Sequence, residues 1–280
     1  MASGVHLSRI HPPYAVLWAF FLRDLRNELS YRLSFVLQII GIFPAVLMFF
    51  FLSRLVGNTI SGPLGPYGGQ YFPFVLIGIA LQNYLTISLS RFSGSLRESQ
   101  LSGTLEVIMA APVSLTVFLT GSTLYSFVFN VLRVLVYLGA GALLFHVHIN
   151  WMRLPAALGI LVLTIAAFSS LGIFSAAFIM LFKRGDPINW GFSVVSWLLG
   201  GVYYPVSVLP EWLQRGADVI PMTHALEALR IILLMNGSMA SIAPSLLALG
   251  LWAAVGLPLS LYAFRYALKR AKIQGTLGHY

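Results

Sequence analysis

Arg133 is the one charge deep inside an apolar run of this chain, and other polar side chains share its helical face. Ser122, Ser126, Asn130, Arg133 and Tyr137 follow at spacings of four, four, three and four residues, which on a helix draws a single polar stripe. A shorter stripe, Gln82, Thr86 and Ser90, lies on an earlier apolar run. A guanidinium at mid-membrane costs about 2.5–3.5 kcal/mol on insertion scales, so Arg133 must face protein or water. Hydroxyls, amides and one cation can line a transport path or a subunit interface. They can equally lock a helix bundle through interhelical hydrogen bonds. A third stripe, Ser169, Gly172 and Ala176, is small rather than polar, and close helix packing is its natural use.

Other chemistries are disfavoured by what the residues lack. A phosphate-binding loop needs G-x-x-x-x-G-K-S/T, because a lysine must reach the phosphates. The only lysines are Lys183, Lys269 and Lys272, and none follows a glycine. No nucleophile elbow or H-E-x-x-H zinc motif occurs. The eight acidic residues all fall outside the middles of the apolar runs, which disfavours a carboxylate proton relay. His146 and His148 are two imidazoles beside a span end and do not complete a metal site. His224, Glu227 and Arg230 read as a local polar helix face. There is no cysteine, so no disulfide or thiolate site exists. The chain is therefore expected to bind no cofactor, not to be an enzyme, and to draw any energy from a partner.

The elements that carry these residues are read from composition. Of 280 residues, 58% are hydrophobic and 9% charged, against about 25% charged in a soluble domain. Several apolar runs exceed the ~18 residues needed to cross hydrocarbon. The expectation is a single all-α polytopic membrane domain over residues 1–280. Its six spans are expected near 33–56 (kinked at Pro44), 72–92, 113–145, 154–182, 188–204 and 244–264. Before them, residues 14–32 are expected to form an amphipathic helix in the membrane interface. Its apolar face would carry Tyr14, Trp18, Phe21, Leu22, Leu25 and Leu29, with Arg23, Asp24, Asn27 and Ser30 opposite.

Between the fifth and sixth spans, residues 205–241 read as two short amphipathic pieces split by Pro221. They are expected to form a re-entrant hairpin in the outer leaflet, because 221–236 is apolar but too short to cross. Twelve of the seventeen Lys and Arg fall on the side holding both termini, against Arg54, Arg153, Arg215 and Arg230 opposite. The positive-inside rule then places both termini in the cytoplasm. The net charge of +9 fits basic loops beside anionic lipid, so no nucleic-acid partner is expected.

Two polar stretches narrow the reading. The first is Arg97-Glu98-Ser99-Gln100-Leu101-Ser102-Gly103-Thr104-Leu105-Glu106, closing with Ala111-Pro112-Val113-Ser114. The second is Tyr204-Pro205-Val206-Ser207-Val208-Leu209-Pro210-Glu211-Trp212-Leu213, continuing to Ile220-Pro221-Met222-Thr223-His224 and Glu227-Ala228-Leu229-Arg230. Together with the order of spans over nearly the whole chain, they resemble the type-2 permeases of ATP-binding-cassette exporters.

The resemblance implies a homodimer, or a pair of related permeases, working with two cytoplasmic ABC ATPase subunits that hold the ATP and magnesium. Residues 97–111 would be a coupling helix seated in an ATPase groove, with Arg97, Glu98, Gly103, Thr104, Leu105 and Glu106 as its coupling residues. Gln82, Thr86, Ser126, Asn130, Arg133 and Tyr137 would line the translocation path. The cargo would be an amphipathic drug, lipid or glycan, exported across a prokaryotic cell membrane. A membrane-embedded lipid-phosphate transferase is the main alternative. It would want clustered acids at one boundary, and Asp186 beside Lys183 and Arg184 is its nearest counterpart. A secondary carrier with inverted repeats is the other alternative.

Overall fold

The computed structural model describes residues 13–57, 61–101, 115–182 and 186–273. Among them every regular element is helical. The first, α1 (Pro13–Ser30), opens on a proline, which helices accept in their first turn. The next pair, α2 (Arg32–Ile40) and α3 (Ile42–Val56), is one apolar run bent at Gly41. Pro44 has no N–H to offer the Ile40 carbonyl, and its ring crowds that oxygen. The kink expected at Pro44 is thus set one turn upstream. Gly57 ends α3 with a positive φ of 56°.

Two long helices follow. α4 (Tyr71–Leu101) and α5 (Leu115–Phe145) each have 31 residues, about 46 Å at 1.5 Å per residue. That exceeds the ~30 Å of hydrocarbon, so each projects beyond it. In α4 the second apolar run continues without a break into the polar stretch, and Arg97 and Glu98 ride on the same rod as the span. The rest of the expected coupling segment, Gly103, Thr104, Leu105 and Glu106 included, lies outside the described residues.

α6 (Leu154–Phe182) matches the expected fourth span and is the spine of the bundle. The small stripe on it does what its sizes suggest. A Cβ at Gly172 would sit 3.2 Å from the Ser88 carbonyl and 2.7 Å from Phe92, so α4 passes nearly backbone to backbone here. On another side, Gly256 of α10 (Ala243–Ile273) lies against Ser170.

Among the described residues, five stretches are long and apolar enough to cross a membrane: Val36–Val56, Tyr71–Ser95, Leu119–Phe145, Trp151–Phe182 and Ala243–Ala271. The fifth span, expected near 188–204, is not among them. Its helix, α7 (Pro187–Leu199), has 13 residues, about 20 Å. Asp186 caps its start by accepting from the Asn189 amide at 3.0 Å, with Pro187 in the first turn. Gly200 ends it, and the chain bends through residues 200–204, with Gly201 at φ +74°.

The expected hairpin has the anticipated split. α8 (Glu211–Ala217) and α9 (Pro221–Leu234) meet at a turn before Pro221. A cap resting on the bundle would leave α9 half exposed. Instead Met222, Ala225, Leu226, Leu229, Ile232 and Leu233 are buried, in one core with residues of α4 and α6. The chain beyond α9 is tied to the link before α6, where the Asn150 amide donates to the Leu233 carbonyl at 3.0 Å and its side chain bonds Asn236.

Candidate functional site

The polar stripe on α5 divides between two tasks. Asn130 is buried and its Nδ2 donates to the Tyr84 carbonyl on α4 at 3.2 Å. Tyr137 is buried too, and its hydroxyl accepts from Asn83 Nδ2 at 3.0 Å. These two residues stitch α5 to α4. Ser122, Ser126 and Arg133 instead face a polar cavity of about 830 Å3. Of the α4 residues expected on the path, Thr86 is exposed and returns its hydroxyl to the Gln82 carbonyl at 3.0 Å. Neither Gln82 nor Thr86 lines this cavity, whereas Ile87, Ser90, Arg91 and Glu98 do.

The cavity has three walls. α4 and α5 give two, and α1 gives the third through Arg23, Asp24, Asn27 and Glu28. α1 is held there by its aromatic rings. Phe20 fills the gap at Gly121, where a Cβ would lie 2.8 Å from the ring, and Phe21 sits 5.9 Å from the Tyr125 ring. Tyr14, Trp18 and Leu29 remain exposed, on the face the sequence assigns to lipid. From Ser122 to Arg133 the cavity follows α5 for eleven residues, about 16 Å or half the hydrocarbon thickness.

At its deep end three elements are linked by one chain of hydrogen bonds. Arg133 Nη2 donates to Gln38 Oε1 on α2, and Gln38 Nε2 donates to Glu28 Oε1 on α1 at 2.6 Å. The Arg133 guanidinium also lies over the Phe129 ring, 5.0 Å from its centroid, a favourable cation–π placement. Arg133 thus lines a polar cavity and is held by protein partners, as its cost requires. Gln38, Glu28 and Arg91 were missed by the stripe argument. The one amide in the first apolar run was the available signal for Gln38.

A second charged centre was also missed. Arg230, counted among the outer-side charges, is only 2% exposed. Its guanidinium donates to the Phe74 carbonyl from Nε and Nη2 (3.2 and 3.0 Å), to the Gly201 carbonyl (2.8 Å) and to the Val202 carbonyl (3.2 Å). The Phe74 ring lies 3.4 Å away. The Phe74 carbonyl lies in the first turn of α4, where carbonyls keep their helical donors, whereas the Gly201 and Val202 carbonyls belong to the stretch after α7, where helical partners are lost. Gly78 lets that stretch approach, since a Cβ there would meet the Val202 oxygen at 2.1 Å. Nearby, burial pushes the Tyr67 phenol above its usual range, and the Arg230 charge pulls it back. The carboxylate of Glu227, one turn before Arg230, accepts instead from the Ser245 hydroxyl at 2.8 Å.

The residue nearest to a transferase site is in use elsewhere. Asp186 caps α7 and also accepts from the Ser175 hydroxyl. No group of three metal-ligating side chains occurs among the described residues.

The family model described as ABC-2 type transporter matches residues 14–234. The chain belongs to the ABC-2 type transporter family. The matched range opens inside α1 and closes on the last residue of α9, so it contains both the cavity and the Arg230 centre. No curated protein matches the chain. As a member of the ABC-2 family, this multi-pass chain is a membrane component of an ABC transporter, a transport part that works with ABC ATPases and is not itself generally catalytic.

Proposed function

We propose that this ABC-2 chain is the permease of an ATP-driven exporter, and that the cavity between α1, α4 and α5 is the cytoplasmic end of its translocation path. The cavity carries the reading. Its walls are polar, it follows α5 for half a membrane thickness, and it ends on Arg133. The same end of the molecule holds Glu98 and the last turns of α4, which lead toward residues 103–106. These form the coupling segment that a partner ATPase would push. Two copies of the permease work with two cytoplasmic ATPases, which hold the ATP and magnesium. The cargo is an amphipathic drug, lipid or glycan leaving across the cell membrane.

Both termini are cytoplasmic in this arrangement, which needs an even number of crossings. We read α7 with the bend at residues 200–204 as the sixth. α9 then re-enters from the outer side as the buried helix of the hairpin.

The absence of cysteine makes accessibility a clean readout. A Ser122→Cys variant is expected to react with a membrane-impermeant maleimide in inside-out vesicles and not in right-side-out cells. Its labelling rate should change several-fold while a partner ATPase hydrolyses ATP. Reaction from the outer face alone, or a rate indifferent to ATP, contradicts the assignment of this cavity.

A further inference from the structure

The cavity's charges are not equally engaged. Arg23 is paired with Asp24 at 2.8 Å, and Glu28 accepts from Gln38. Gln38 in turn takes one N–H of Arg133. Three donors remain. Arg133 Nε is buried with no hydrogen-bond partner, and so is the hydroxyl of Tyr125, a residue 8% exposed. Arg91 lines the same cavity without a carboxylate in ion-pair range among the described residues. Buried donors left unmade cost about 1–3 kcal/mol each; of the lining carboxylates Asp24, Glu28 and Glu98, none lies within ion-pair range of Arg91 or Arg133 among the described residues.

We infer that this cavity binds an oxyanion head group through Arg91, Arg133 and Tyr125, so that the cargo is an anionic amphiphile. The inference rests on the cavity being part of the path, and it names the cargo class of that path. Arg133 and Tyr125 stand on α5 and Arg91 stands across from them on α4, so one bound anion meets donors from both walls. Guanidinium–oxyanion hydrogen bonds are the strong, charge-assisted kind. A volume of about 830 Å3 is far more than one phosphate fills and lies in the range of whole-ligand pockets. The head group therefore carries more than the anion, as a sugar phosphate or phosphodiester does. α2, which supplies Gln38 to the wall, leaves Val36, Leu37 and Ile40 exposed beside it, a surface suited to an acyl or prenyl tail.

The test is equilibrium binding to the full chain, purified in an uncharged maltoside detergent without any ATPase. Dodecyl phosphate is expected to bind and dodecyltrimethylammonium not to. Arg91→Gln and Arg133→Gln should each weaken dodecyl phosphate by about tenfold or more, and Tyr125→Phe by several-fold. Arg133→Lys, which keeps the charge, should bind better than Arg133→Gln. Arg91 is on the surface, so its variant folds whatever happens at Arg133. Competition by millimolar inorganic phosphate would support the oxyanion site and name the free anion as sufficient. Failure to compete would support it with the head of an amphiphile as the ligand. Equal affinity of wild type and the Arg91→Gln, Arg133→Gln double variant would overturn the inference, as would preference for the cationic amphiphile. Because no ATPase is present, a failure here leaves the transport reading untouched, and Ser122→Cys labelling tests that reading separately.

Discussion

Replacing Arg230 with methionine is expected to lower the thermal stability of the purified permease by on the order of 10 °C. The side chains are similar in length, so packing volume is largely kept. What is lost is the donor set for the Phe74, Gly201 and Val202 carbonyls, of which the last two have no helical donor to fall back on. Each buried carbonyl left without a partner costs about 1–3 kcal/mol. A total of about 3 kcal/mol or more corresponds to that shift in a chain of this size, at about 2–4 °C per kcal/mol. Arg230→Lys should fall in between, because a compact ammonium cannot span three acceptors as the planar fork does. Gly78→Ala should resemble Arg230→Met, since its methyl would meet the Val202 oxygen and push the unwound stretch away from the guanidinium. Wild-type melting of Arg230→Met would show that the centre does not hold α4, α7 and α9 together.

The second large effect is expected at the coupling segment. Gly103→Pro combined with Glu106→Ala should abolish stimulation of a partner ATPase while leaving membrane insertion normal. α4 is one uninterrupted rod from Tyr71 to Leu101, and displacement applied just beyond its end is carried into the wall of the cavity that holds Arg91 and Ser90. Proline at 103 withdraws a backbone donor, and alanine at 106 withdraws the one carboxylate of the Gly-Thr-Leu-Glu element. Coupling between two sites is commonly worth a factor of 5–150, so the stimulated ATPase rate should fall about tenfold or more. Measured in proteoliposomes, wild-type stimulation by the double variant would contradict a coupling role for these residues.

Much of this architecture was legible because apolar length is a direct physical requirement of the bilayer. The run at 154–182 became a helix over the same residues, and the break at Gly41 followed from the missing N–H of Pro44 one turn on. The helix of the fifth span is shorter than its apolar run because hydropathy counts residues and not backbone conformation. The stretch through Gly200 and Gly201 is apolar, yet Gly201 takes a positive φ and the helix ends. The stripe on α5 was visible as a stripe, but periodicity does not say which neighbour each member meets. Asn130 and Tyr137 met α4, while Ser126 and Arg133 lined the cavity, Arg133 meeting Gln38 of α2. Arg230 was least legible. Its partners are main-chain oxygens 28 to 156 residues away, and carbonyls have no side-chain identity to read.

Pull-down of this chain from its native membrane, followed by ATPase assay in proteoliposomes, bears most directly on its role as the membrane half of an ATP-driven exporter. An ABC ATPase should copurify in equal copies with the permease, and its hydrolysis rate should rise several-fold when the permease is present. Recovery of the chain with no ATPase bound, together with a hydrolysis rate unchanged by adding it, would contradict that role.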